Sequence, residues 1–91
     1  MTPEEQLRDE RGRDYGPVRE NHTSIGMIWG GILLQAYTAG RWAPGRPVPP
    51  EIATLMMAGV KASREAYRHK ADNIPDARNY ITFTGELAEG W

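Results

Sequence analysis

The sequence predicts an all-α protein, a small bundle of about four helices with two long central ones, completed by oligomerisation. Three observations lead there. Apolar residues recur at three- and four-residue spacing, no segment alternates with a period of two, and Gly/Pro clusters divide the chain where helices should stop.

Thr2-Pro3-Glu4-Glu5 reads as a helix start. Threonine caps, proline suits the first helical position, and the glutamates favour the positive end of the helix dipole. Leu7 is the one large apolar residue of this helix, so it should lie on a surface or dock on a partner. Gly12 and Tyr15-Gly16-Pro17 interrupt it. The second helix should run from near Pro17 to about Tyr37, with Ile25, Ile28, Trp29, Ile32, Leu33 and Ala36 facing inward. Thr38 to Pro50 is rich in Gly and Pro and reads as a loop; Trp42 inside it and Trp91 at the chain end are interface anchors, lids, or simply partly exposed side chains. The third helix should open at Pro49-Pro50-Glu51, turn Ile52, Leu55, Met56, Gly59, Val60 and Ser63 to the core, and end near His69. Asp72 or Asn73 should cap a fourth helix, with Pro75 in its first turn and Ile74, Ala77, Ile81, Thr84 and Ala88 as a weaker apolar stripe.

These elements make one domain over residues 1–91, a peripheral helix over 1–14 and a helical core over 17–88. With one Phe, three Trp and no Cys, the core is small and has no disulfide to brace it. Helical glycines and other small residues (Gly26, Gly30, Gly31, Ala58, Gly59, Ala62, Ser63, Ala66) suggest close approach of another helix or of a ligand, the helix either within the chain or at a subunit interface on the second and third helices.

Composition excludes several functions. The absence of cysteine rules out thiolate metal sites and fits a cytoplasmic protein. The net charge of -1 argues against general nucleic-acid binding. No apolar run is long enough for a membrane span, and the acidic, polar start is unlike a secretory signal. Two histidines, His22 and His69, do not make a zinc site.

Two clusters carry chemistry. The first joins Arg8, Arg11 and Arg13, the turn at Tyr15-Gly16-Pro17, and Arg19, Asn21 and His22 at the start of the next helix. A helix N-terminus and arginines together suit an anion, and Tyr15 offers a stacking face. Ion pairing with Asp9, Glu10 and Asp14 is the plainer alternative. The second cluster places Lys61, Arg64 and Arg68 on one helix face, with Asp72, Asp76, Asn79 and Tyr80 along the next. Here the bases would hold phosphates, while the aspartates and Asn79 hydrogen-bond hydroxyls or base edges. Alternatively the aspartate pair holds magnesium, or Asp76 pairs with Arg64 or Lys61 as a structural salt bridge.

Tyr15-Gly16, Asn21-His22, Trp29, Lys61-x-x-Arg64 and Asp72-x-x-x-Asp76-x-x-x-Tyr80 resemble a family of small, uncharacterised phage and prophage helical proteins. The layout, with an aspartate pair opening a late helix, is also similar to MazG-type all-α nucleotide pyrophosphohydrolases. Those hold magnesium on a Glu-x-x-Glu pair and a facing Glu-x-x-Asp pair. This chain has no such facing pairs, because Glu51, Glu65, Glu86 and Glu89 do not make them. The resemblance therefore implies a small anionic, nucleotide-like ligand bound without a cofactor, in the manner of phage proteins that sequester a host's immune signalling nucleotides. Its sites would be built between subunits of a homo-oligomer. Magnesium would enter only with the hydrolase reading. A helical protein–protein interaction module is the third reading.

Overall fold

The computed structural model describes residues 1–90; Trp91 lies outside the described residues. Four helices follow in order: α1 (Pro3–Tyr15), α2 (Val18–Thr38), α3 (Pro50–Tyr67) and α4 (Asn73–Ala88). Among the described residues there is no strand. α3 is the centre of the bundle. α2 and α4 pack on it from different sides without touching each other, and α1 lies across the ends of α2 and α3.

The helix starts follow local chemistry. Thr2 Oγ1 accepts the Glu5 N–H at 3.1 Å, and Pro3 occupies the first turn of α1. α1 ends at Gly16, whose φ of 87° is open to glycine and strained for other residues. A Cβ there would also lie 3.0 Å from Tyr67 Cε2, so both backbone and packing require glycine. Pro17 follows directly, and its carbonyl accepts the Asn21 N–H to begin α2. α2 closes with the Arg41 N–H on the Ala36 carbonyl at 2.8 Å and Gly40 at φ 73°. In the connection to α3, Trp42 Nε1 donates to the Arg46 carbonyl at 3.0 Å and fixes the loop internally.

The core is small, as the composition implied. Ile25 and Ala36 of α2 and Ile52, Ala58 and Val60 of α3 are its buried apolar residues. Trp29 lies at its edge, half-buried, and its indole N–H donates to the Met56 carbonyl at 2.7 Å. Gly59 lets α2 and α3 approach, since a Cβ there would sit 2.7 Å from Ile28 Cγ2. Paired hydroxyls tie the remaining seams: Ser24 to Ser63 at 2.8 Å, and Thr54 to Thr84 at 2.6 Å. α1 buries none of its residues, in keeping with its single Leu7.

Two elements differ from the sequence reading. α3 stops at Tyr67, not near His69, and Arg68 is extended at φ -156° and ψ 130°. The Glu65 carboxylate explains the early stop. It accepts His69 Nδ1 at 2.6 Å, the Lys70 N–H at 3.2 Å and Asn73 Nδ2 at 3.1 Å, folding the chain back on itself. Those bonds hold the Glu65 carboxyl below its ordinary value, chiefly through His69 and then Asn73. The second difference is the register of α4. Ile74 and Ile81 are exposed, and the row turned inward is Asn73, Ala77, Tyr80, Thr84 and Leu87. Asn73 is only 2% exposed. Its bond to Glu65 fixes the start of α4 and rotates the helix away from the isoleucines. Asp72 occupies the cap position but makes no capping hydrogen bond.

Candidate functional site

The elbow between α1 and α2 folds over the C-terminal end of α3, and this juxtaposition builds a pocket. Tyr15, the last residue of α1, meets Arg64 in the last turn of α3. The Arg64 guanidinium carbon lies 4.1 Å from the Tyr15 ring centroid, and Lys70 Nζ lies 5.4 Å from it. Both are cation–π distances. Asp14 reinforces the joint by accepting Lys70 Nζ at 3.2 Å and pairing with Arg68 Nη1 at 3.8 Å. That hydrogen bond, then the Tyr15 field, pushes the Lys70 ammonium above its ordinary value. Arg68 Nη1 also donates to the Arg13 carbonyl at 3.3 Å.

The pocket encloses about 470 Å³ between Arg8, Arg11, Gly12 and Tyr15 of α1, Asn21 and His22 of α2, and Arg64 of α3, with Glu4, Leu7, Gly16 and Val18 completing its wall. Its charge is predominantly positive, three arginines against Glu4. Among the described residues, none of the three arginines forms an ion pair. Arg64 Nε is buried with no hydrogen-bond partner. A buried, unpartnered donor is uncommon in a folded protein and costs stability. Asn21, only 8% exposed, also lines the pocket. His22 Nδ1 lies 2.7 Å from the Val18 carbonyl. A carbonyl only accepts, so Nδ1 carries the hydrogen, and Nε2 of the neutral ring is left as an acceptor. The site thus offers guanidinium forks, an amide, a ring nitrogen and an aromatic face, a set that suits a phosphate joined to a planar or hydroxyl-bearing group.

Of the residues singled out in the sequence, Arg11, Tyr15, Asn21, His22 and Arg64 line this pocket. One chain suffices to bring them together. Arg13 and Arg68 stand behind it, joined to each other. Arg68 does not share a helix face with Lys61 and Arg64, because α3 has ended before it. Lys61 and Asp76 pair with each other at 3.1 Å across the α3–α4 seam, which is the salt-bridge alternative. Asp72 and Asn79 are exposed. Tyr80 packs edge-on to Phe83, with centroids 6.3 Å apart at 85°. None of these last five lines the pocket. Glu4 and Leu7 were not anticipated, although Glu4, Leu7, Arg8, Arg11 and Tyr15 follow the three- and four-residue spacing of one helix face.

Among the described residues, no three His, Cys, Asp or Glu side chains converge. Asp76 pairs with Lys61. No described helix is long and apolar enough to cross a membrane.

Against known proteins, a family model described as "Domain of unknown function (DUF6378)" matches residues 2–88, nearly the whole bundle. Comparison with curated proteins and with solved structures gave no match.

Proposed function

The chain belongs to the DUF6378 domain family, and we propose that it binds a small phosphate-bearing, nucleotide-like ligand in the pocket between α1, α2 and α3 and holds it without turnover. One observation carries the reading. The Arg64 guanidinium is stacked on Tyr15 and keeps a buried Nε without a partner, beside Arg8 and Arg11, which have no ion-pair partner among the described residues. A phosphate entering there would take up the arginine donors, and the amide of Asn21 and the ring of His22 would read the group attached to it. In a phage setting, such binding fits the sequestration of a host signalling nucleotide.

The test is a thermal-shift panel of nucleoside triphosphates, cyclic nucleotides and ADP-ribose-derived signals. Stabilisation by one class, its loss in Arg64→Ala, and intact release of the ligand on heating support sequestration. Conversion of the ligand to products would favour the MazG-like hydrolase. A flat response across the panel overturns the binding reading and leaves the protein-interaction module.

A further inference from the structure

Among the described residues, no other helix packs on the outward face of α2. α2 packs on α3 and α1 and does not touch α4. Directly opposite its buried residues Asn21, Ile25 and Ala36, helical periodicity places Thr23, Met27, Gly30 and Leu34. Met27 is 75% exposed and Leu34 61%. A solvated helix face ordinarily carries charge. Here the chain has no Asp, Glu, Lys or Arg between Glu20 and Arg41. The glycines of this helix are also unexplained from within. A Cβ added at Gly26, Gly30 or Gly31 would meet nothing within 4 Å, unlike Gly59, where the chain itself requires glycine.

We propose that this face pairs with the same face of a second copy, the two α2 helices running antiparallel about a two-fold axis at Gly30–Gly31. The pattern along the helix selects a second copy over an unrelated partner. A two-fold interface must be self-complementary, each residue meeting the one equally far from the axis on the other side. Counted outward from Gly30–Gly31, Met27 meets Leu34 of the partner subunit, and Thr23 meets Thr38 of the partner subunit. At the ends, the antiparallel course brings Glu20 toward the C-terminal end of the other α2, just beyond which, outside the helix, lies Arg41 of the partner subunit. The Arg41 side chain is 53% exposed and holds Glu51 by one nitrogen at 3.5 Å, which leaves donors open. A parallel pairing would instead set Glu20 beside Glu20 of the partner subunit. Glycines at the crossing let the backbones approach, and the flanking Met and Leu interlock. The ligand pocket lies on the other side of α2, at Asn21, so this interface leaves it open and stands independently of the binding proposal.

The full chain in sedimentation equilibrium should show a monomer–dimer equilibrium. Met27→Glu and Leu34→Glu should each raise the dissociation constant about tenfold or more while leaving the helical circular dichroism signal unchanged. A wild-type chain that stays monomeric at about millimolar concentration overturns the proposal, and so does a dimer that ignores both substitutions. The lack of cysteine allows a second test that does not depend on those variants folding. Under mild oxidation, Gly30→Cys should form a disulfide-linked dimer. Thr23→Cys should not, because its Cα lies roughly 11 Å along the helix from the axis at about 1.5 Å per residue. Efficient cross-linking through Thr23→Cys would mean a parallel pairing and overturn the antiparallel one.

Discussion

Arg64 and Tyr15 are stacked with the guanidinium carbon 4.1 Å from the ring centroid, joining the last turn of α3 to the end of α1. The contact has two consequences. It holds a peripheral helix that buries none of its own residues, and it keeps a guanidinium at the wall of the pocket with one donor unused. Arg64→Ala should therefore separate a small effect from a large one. Loss of the stack should cost about 0.5–2 kcal/mol of stability. Affinity for a phosphate-bearing ligand should fall roughly tenfold or more, because a charge-assisted, bidentate contact is lost. Arg64→Lys should keep part of the stability and little of the affinity, since an ammonium has no planar fork. Calorimetric titration beside thermal melts would check both.

The Lys61–Asp76 pair should behave in the opposite way. It ties α3 to α4 at 3.1 Å and does not line the pocket. The Asp76 side chain is 38% exposed, so solvent screens the pair. Lys61→Met or Asp76→Asn should cost under about 1 kcal/mol in thermal or urea unfolding and leave ligand affinity unchanged. A loss of binding in Asp76→Asn that exceeds its loss of stability would return that carboxylate to the site.

Two glycines should give opposite signs. At Gly59 an added methyl would lie 2.7 Å from Ile28 Cγ2, and a β-branched side chain on a helix has little rotamer freedom to move aside. Gly59→Ala should thus push α2 from α3 and cost about 1–3 kcal/mol from overpacking, partly offset by about 1 kcal/mol of helix propensity. Gly85 in α4 meets nothing within 4 Å, so Gly85→Ala should gain up to about 1 kcal/mol. Urea unfolding of both variants decides it.

How much of this was legible in the sequence follows from the range of each interaction. α1 and α2 could be read because their signals are local: Thr2 caps, Gly16-Pro17 breaks, and Ile25 to Ala36 repeat at helical spacing. The register of α4 could not, because a buried asparagine and not the isoleucines sets it, and Asn73 is fixed by Glu65 on another helix. The same carboxylate ends α3 early and removes Arg68 from the expected row of bases. For the pocket, the arginine–tyrosine turn was visible as a cluster. Its union with Arg64, and not with the Asp72–Tyr80 stretch, depends on how α1 crosses the end of α3, which sequence spacing does not encode.

Glu65 also makes the α3–α4 turn sensitive to pH. Its carboxylate is held below the ordinary value of 4.5 by hydrogen bonds from His69, Asn73 and the Lys70 N–H. A carboxylate whose folded value is depressed contributes stability that is present above the ordinary value and lost as pH falls through the folded one. Glu65→Gln should therefore melt below wild type at neutral pH, and the gap should close as pH drops below 4.5. Lys70 gives the complementary limb. Its ammonium is raised above 10.5 by the bond to Asp14, so that contribution is present below 10.5 and is lost as pH rises through the higher folded value. Asp14→Asn should consequently lower the melting temperature at neutral pH and converge with wild type in strong alkali. If the Glu65→Gln gap stays constant from neutral to acid pH, the carboxylate's charge does not hold the turn, and its shape and packing do.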